Sequence, residues 1–367
     1  MEIGEGSFKE ILGLLPEGWE AKAKELGALQ RAREIKTAVE LLWLILLYLT
    51  EGKSYRGTSA LINLSDEAEL SDVAVLKRMR NSAAWLQWLC ENMCRQAGLI
   101  VEKPAWLKNR NVKAVDGTED VKCGVRRQCY ILHYSLDIFT LAADELHVTD
   151  IKTGEKLSNF TKFKEGDIVM GDRMYGTLPG IAYIRRLKAD YVLRIKTRGF
   201  TVYDERNEKI DILKSLSGLG EGEIAEIKGA CFINDQYEPI RICALRKDQE
   251  SERKGLKRLK KENQRKQGGK PVTELQEEGN KYIIVATSLE EEITASQVLE
   301  LYRLRWQIEI AFKRLKSLFH YNDLPATHSK SVNAWFYGKL LLAALCETLV
   351  NTGRFSPSGE TRKSAAA

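Results

Sequence analysis

Apolar positions follow two textures along the chain: a helical period up to about residue 100, and then short strand-length runs. Leu41, Leu42, Ile45 and Leu46 fall on one helical stripe, and Trp85, Trp88 and Leu89 repeat it. Between them, Ser71 followed by Asp72 reads as a helix start, with Lys77, Arg78 and Arg80 in the turns that follow. Cations near the end of such a helix suit a recognition helix laid against DNA. They suit equally well a solvated helix whose charges complement its C-terminal dipole. Spacing alone leaves both readings open.

From Asn111 the pattern changes. Val112 to Asp116 (VKAVD) is a short apolar run that stops at an acid followed by Gly117. Gln128 to Tyr134 and Thr140 to Val148 predict two more strands, with a short helical stretch around Glu155 to Phe160. Ile168 to Asp172 (IVMGD) is another apolar strand ending in an acid, followed by RMYG. Leu178 to Lys188 reads as a helix, and Tyr191 to Ile195 as a fifth strand. Three strands, a helix, a strand, a helix and a strand is the order of an RNase H-like mixed α/β sheet. Residues 197–282 interrupt it with two short strand patterns, Glu223 to Ile227 and Ile240 to Leu245, and a basic tract. Tyr282 to Ala286 is a strand, and a long helix begins near Thr294. The expected organisation is an all-helical domain over 1–100 and an RNase H-like α/β domain in two parts, 101–196 and 283–350. A β-rich basic insertion over 197–282 separates those parts, and a disordered tail occupies 351–367.

Composition narrows the chemistry. At 367 residues the chain is long enough for two or three domains. Its net charge of +6 fits a polyanionic partner without requiring one. The distribution is more telling: Arg246 to Lys270 holds 11 Lys or Arg against 4 Asp or Glu, a local +7. Such a run is either a solvated face or an arm that contacts phosphates. The seven cysteines form no C-x-x-C pair, and the four histidines have no metal-ligand spacing, so neither a disulfide scaffold nor a zinc site is supported. The acidic start carries no secretory signal, and the longest apolar run, Val39 to Leu49, is about half a bilayer span. A soluble cytoplasmic protein is expected.

The most informative segment is Leu301 to Leu318, LYRLRWQIEIAFKRLKSL. At about 100° per residue, with Tyr302 at zero, Arg305 falls near 300°, Glu309 near 340° and Lys316 near 320°. Leu304, Ile308, Ala311 and Leu315 form an apolar stripe at about 180–240°, while Trp306 and Lys313 border the polar stripe. An ordinary surface helix would show Arg305 and Glu309 as an i,i+4 ion pair and nothing more. The full spacing Tyr-x2-Arg-x3-Glu-x6-Lys, however, resembles the YREK signature of the bacterial DDE transposases of the insertion-sequence-four family. AVDGT at Asp116 and GDRMYG at Asp172 resemble that family's two catalytic aspartates in their usual settings. The likeness covers roughly Asn111 to Leu345.

That resemblance implies a cut-and-paste DNA transposase with Asp116, Asp172 and Glu309 as catalytic, metal-binding residues. Strand ends in one sheet lie within about 5 Å of each other. Three carboxylates that close repel and raise one another's pKa unless cations intervene. Hard oxygen ligands select Mg²⁺, with Mn²⁺ as a substitute, and two ions would serve an in-line attack on a phosphodiester. By resemblance Arg305 and Lys316 hold phosphates, and Tyr302 supports the terminal strand. Trp306, Lys313 and Arg173 are expected beside them, with Lys77 and Arg78 contacting DNA from the N-terminal domain. Tyr282 either stacks on a flipped base or fills core. The resemblance also implies a homodimer on double-stranded DNA and a hairpin intermediate, although no residue pattern displays the hairpin. A domesticated DDE nuclease or recombinase, and a catalytically silent DNA-binding protein, remain the alternatives.

Overall fold

The computed structural model describes residues 5–30, 33–52, 54–64, 68–96, 103–107, 109–121, 129–140, 143–266, 269, 271–309 and 328–351. Six helices come first: α1 (Glu5–Leu12), α2 (Trp19–Glu25), α3 (Ala38–Glu51), α4 (Tyr55–Leu64), α5 (Asp72–Asn81) and α6 (Ala83–Gln96). There follow β1 (Val112–Val121), β2 (Cys129–Asp137), β3 (Ala143–Asp150), β4 (Ile168–Gly176), α7 (Leu178–Arg186) and β5 (Asp190–Ile195). Next come β6 (Val202–Tyr203), β7 (Lys209–Ile210), α8 (Ile212–Leu216), β8 (Ile224–Ile233) and β9 (Gln236–Arg246). The chain continues through α9 (Gln249–Lys266), α10 (Glu274–Asn280), β10 (Tyr282–Thr287), α11 (Ala295–Arg303) and α12 (Ser329–Asn351). The expected helical stretch around Glu155 is replaced by two 3₁₀ turns, Ile151–Thr153 and Leu157–Asn159.

The helix starts are set locally. Ser71 Oγ accepts from the Ala74 N–H at 3.2 Å, so α5 begins where the sequence predicts. Thr294 and Gln297 cap α11 reciprocally as a capping box. α3 is buried on most of its circumference, with Leu41, Leu42, Leu44, Ile45 and Leu46 at 1% exposure or less. It is therefore the centre of the helical bundle and not a surface helix. α12 joins that bundle from the far end of the chain: Lys339 Nζ donates to the Leu49 carbonyl, and Arg80 Nε donates to Ser331 Oγ.

One ten-stranded mixed sheet runs in the order β3-β2-β1-β4-β5-β10-β9-β8-β6-β7. β1 pairs parallel with β4, and β4 parallel with β5; the other pairings are antiparallel. The strands of 197–282 thus extend the same sheet, because β10 bonds β5 on one side and β9 on the other. Tyr282, expected to close the insertion, is the first residue of the strand that welds the two parts together. Gln249–Lys266 of the basic tract forms helix α9, as its Lys, Arg, Gln and Glu content favours. Successive strand residues alternate between two apolar clusters. Ala114, Met170, Val192 and Val285 face the helical bundle, whereas Val115, Val169, Leu193 and Ala286 face the opposite core. No described helix is long and apolar enough to cross a membrane.

The helix expected over Leu301 to Leu318 is modified at its start. α11 ends at Arg303, a turn occupies Leu304 and Arg305, and helix resumes at 306–309. Leu304, Arg305, Gln307 and Ile308 each donate their N–H three residues back, at 3.0–3.2 Å. In such 3₁₀ geometry side chains at i and i+3 eclipse. Tyr302, Arg305 and Ile308 therefore line up on one inward face, with Tyr302 at 7% and Ile308 at 0% exposure. The angles of an ideal α-helix had set Ile308 about 120° away from Tyr302. Lys313 and Lys316 lie outside the described residues, as do Ala311 and Leu315 of the apolar stripe and the tail beyond Asn351.

Candidate active site

β1 and β4 lie side by side in parallel, with Val112 opposite Ile168, Lys113 opposite Val169 and Ala114 opposite Met170. Two residues farther along each strand stand Asp116 and Asp172, so adjacent strands about 4.8 Å apart carry the two acids at one level. β4 then leaves its ladder with β5. Six positions on β4, from Gly171 to Gly176, are matched by only three on β5, from Leu193 to Ile195. The surplus residues, Asp172 to Tyr175, form a bulge that re-aims the acid at the sheet edge. Glycine is required on both sides of it. A Cβ on Gly171 would stand 2.8 Å from Tyr175 Cβ, and one on Gly176 would stand 1.9 Å from the Arg194 carbonyl oxygen. Asp172 Oδ1 accepts from the Met174 N–H at 2.7 Å, and Asp116 Oδ1 from the Gly117 N–H at 2.8 Å.

The Tyr302–Ile308 segment brings the third element to this edge. Arg305 Nη1 lies 3.9 Å from Asp116 Oδ2, while its Nη2 donates to Glu309 Oε1. Arg305 also stacks its guanidinium 5.7 Å from the centre of the Tyr302 ring. One cation thus bridges two of the three sequence-predicted carboxylates. Among the described residues no three acidic, histidine or cysteine side chains are gathered as a ready metal cluster. The Glu309 carboxylate, 58% exposed, instead pairs with Arg305.

Electrostatics single out Asp116. Burial, and next the charge of Asp172, push its carboxyl up to about 7, against the Gly117 N–H and Arg305, which pull it down; Glu309 adds to the rise. A buried carboxyl crowded by carboxylates is a site that favours cations. Its donors are all hard oxygens, the set that suits Mg²⁺ or Mn²⁺. On this chemistry the three residues fit a divalent metal.

Unpaired donors surround the same edge. Arg173 Nε, Tyr175 Oη, Arg194 Nε, Tyr302 Oη and Arg305 Nε are buried without a hydrogen-bond partner. Three more such atoms, His133 Nδ1, Ser135 Oγ and Asp144 Oδ2, lie on β2 and β3, Asp144 facing Lys113 as an ion pair. A buried donor left unpaired costs about 1–3 kcal/mol, so five converging on one place indicate missing acceptors. Burial, and then Arg194, lower the Arg173 guanidinium to about 10. Burial, followed by Arg194 and Arg173, lowers Lys247 to about 8. The three cations thus lie within reach of one another's charge, with Lys247 Nζ donating to the Asn280 carbonyl.

Arg194 and Lys247 were not singled out in the sequence. Arg194 is a lone charge inside an apolar strand, YVLRI, and that anomaly was the available signal. Lys247 was hidden within a longer basic run. Tyr175 stood in the quoted GDRMYG without a role. Trp306 is 51% exposed beside Arg305, and Met174 is 49% exposed on the bulge. Tyr282 is not brought to the site: it is buried in the core opposite the helical bundle, and its hydroxyl donates to the Leu216 carbonyl at 3.0 Å. Lys77 is exposed on α5, whereas Arg78 is half-buried and reaches the Ile35 carbonyl at 3.4 Å. Burial lowers the Arg78 pKa.

Comparisons with known proteins identify the family. The family described as Transposase DDE domain matches residues 122–345, a span that contains Asp172 and Glu309 and begins six residues after Asp116. The InsL protein of insertion sequence element IS186A from Escherichia coli (strain K12), named as a transposase, is 34% identical over 91% of each chain. The transposase for insertion sequence element IS421 of Escherichia coli is likewise 34% identical over 91% of each. The transposase for insertion sequence element IS231E of Bacillus thuringiensis subsp. finitimus is 28% identical over 50% of this chain and 42% of that protein.

Proposed function

The chain belongs to the transposase DDE domain family, and from that premise we propose that it cuts DNA at the ends of an insertion sequence and joins those ends to a target. The observation that carries this reading is the alignment of Asp116 and Asp172 at one sheet edge, with Arg305 and Glu309 laid across it. The strand order β3-β2-β1-β4-β5, with its antiparallel then parallel pairings, supports an RNase H-like core for that chemistry.

Asp116, Asp172 and Glu309 would hold the divalent ions, Mg²⁺ or Mn²⁺, two per site. When bound, these ions neutralise the carboxylates, activate an attacking water and stabilise the departing oxygen. The residues of the chain do the rest. Arg305 keeps the carboxylates from repelling one another before substrate arrives, and its unpaired Nε is free to take a phosphate oxygen. Arg173, Arg194 and Lys247 offer charge to a neighbouring phosphate, and Tyr302 Oη offers a neutral donor. Lys316, by resemblance, adds a further phosphate contact. Exposed Trp306 and Met174 present apolar surface to bases at the cut. In the first step water attacks the phosphorus at the element's end. The P–O3′ bond breaks, the element strand keeps a 3′-hydroxyl, and the flanking strand keeps the 5′-phosphate. That hydroxyl, giving up its proton, then attacks a second phosphodiester and displaces another 3′-oxygen. A homodimer in which each subunit acts on paired DNA ends is the assembly this reading implies.

The test is incubation of the full chain with duplexes carrying its own element's terminal repeats, with and without Mg²⁺, followed by a product gel. Metal-dependent nicking together with joined product is the expected result. Cleavage without joining would mark a nuclease, and binding without any product would mark a silent DNA-binding protein; either would overturn the proposal.

A further inference from the structure

The +7 excess of the basic tract is organised by its helix. α9 runs for 18 residues, about 27 Å at 1.5 Å per residue. With Arg253 at zero and about 100° per residue, Lys260 falls near 340°, Lys257 near 40°, Lys261 near 80°, Lys254 near 100° and Arg258 near 140°. All six are exposed. The opposite arc, about 200–300°, holds Gly255, Leu259, Glu252, Asn263 and Leu256. That arc faces the protein: Leu256 and Leu259 are half-buried and Asn263 is 3% exposed. The Glu252 carbonyl accepts from Asn280 Nδ2 of α10 at 2.9 Å. The cations therefore share one outward face on a helix that is docked along its other side.

Structural ion pairing does not account for this face. Among the described residues only Lys254 meets an acid within ion-pair distance, Glu250 at 2.6 Å, and both are well exposed. A helix that needed charge only for solubility would intersperse both signs, as exposed helices commonly do. The face also has a direction. Glu262, on the C-terminal half of α9, is among the charges that bear on Arg173 in the β4 bulge. α9 thus lies within electrostatic reach of the Arg173, Arg194 and Lys247 cluster.

We propose that the α9 face carrying Arg253, Lys257, Lys260 and Lys261 docks the phosphate backbone of duplex DNA beyond the scissile bond. This inference rests on the transposase reading above and adds the surface that holds the uncut duplex. From Arg253 to Lys261 the face spans about 12 Å, over which one DNA strand presents about three to four phosphates, at one per 3.4 Å of axis. Charge complementarity and length both suit four simultaneous contacts. The contacts carry no base information, so the surface binds any sequence.

The experiment measures affinity of the full chain for a fluorescently labelled duplex of about 40 base pairs and arbitrary sequence. It is done in EDTA, so that nothing is cut, across about 50–300 mM KCl. Neutralising four phosphate contacts in R253Q/K257Q/K260Q/K261Q lowers the slope of log affinity against log salt by up to about 3.6, at about 0.9 per contact. The pair K257Q/K261Q gives about half that change and decides the matter should the quadruple variant fail to fold. R253K/K257R/K260R/K261R keeps the slope, because only charge is read. A wild-type slope in both Gln variants overturns the docking surface and leaves the transposase reading intact. Wild-type protein that shows no salt-dependent DNA binding overturns both.

Discussion

The parallel ladder between β1 and β4 has a charged β1 residue near each end, and the two ends treat it in opposite ways. Near its start Lys113, 4% exposed, places Nζ 2.9 Å from both Asp144 and Asp167 and donates to the Lys162 carbonyl at 3.1 Å. Asp167, 2% exposed, also accepts from the Lys164 N–H and from Asn111 Nδ2. Burial alone would lower the Lys113 pKa, but Asp144 and Asp167 outweigh it and hold the ammonium above its usual value. Near the other end Asp116 faces Asp172 and Glu309 with Arg305 as its cation, and unpaired donors stand around it. One end is complete without a ligand. The other has carboxylates short of cations and donors short of acceptors. Burial is common to both, so the useful distinction is whether partners are present.

Three substitutions break or sharpen that contrast. Asp116→Asn removes the acid from the incomplete end, and single-turnover cleavage is expected to fall at least about ten-thousandfold, ~5.5 kcal/mol of barrier. The fold responds in the opposite sense. Because the Asp116 carboxyl is raised from 3.8 to about 7 in the folded state, its contribution to stability is complete at pH below about 4 and is lost as pH rises through about 7. Melting temperature in EDTA should therefore decline between about pH 4 and 7 in wild type, and less steeply in Asp116→Asn. A variant that still cuts at the normal rate, or melts with an unchanged pH profile, places the function elsewhere.

Lys113→Met strikes the complete end. It strands Asp144 and Asp167 without their cation and should cost about 3–5 kcal/mol of stability, read by urea unfolding. The cleavage rate per folded molecule should stay at the wild-type level. Stability within about 1 kcal/mol of wild type would mean that these acids find other partners or take up protons. The smallest effect is expected at Arg305→Lys, which keeps the charge between Asp116 and Glu309 but loses the planar fork. Cleavage should slow at least about tenfold, ~1.4 kcal/mol, with melting temperature nearly constant. A wild-type rate would reduce Arg305 to an ion-pair partner of Glu309.

Much of this was readable along the chain. The acid-bearing runs VKAVD and IVMGD, and the segment from Tyr302 to Glu309, announce themselves by period and spacing, which are local properties. Neither strand stops at its acid, however: β1 runs on to Val121 and β4 to Gly176, because each finds further pairing partners in the sheet. Ser71 and Thr294 mark helix starts because a capping hydroxyl acts within three residues. What escaped that reading depended on distant partners. Tyr282 looks like any strand tyrosine until its hydroxyl is seen to donate to Leu216 in the core. Arg194 and Lys247 are ordinary cations until β5 and the end of β9 set them against Arg173.

Composition and periodicity thus specified the element types, the two acid-bearing strands and the family signature, because each is written within a few turns or one strand. Tertiary packing alone settled three further matters. β10 pairs with both β5 and β9, which makes one sheet of what looked like a domain and an insertion. α12 returns across more than two hundred residues to close the N-terminal bundle. The chain tightens from α to 3₁₀ at Leu304 and Arg305, so that Tyr302, Arg305 and Ile308 share one inward face. Each of these trades a local preference for burial or pairing that only a distant segment can supply, and no window of sequence contains both partners.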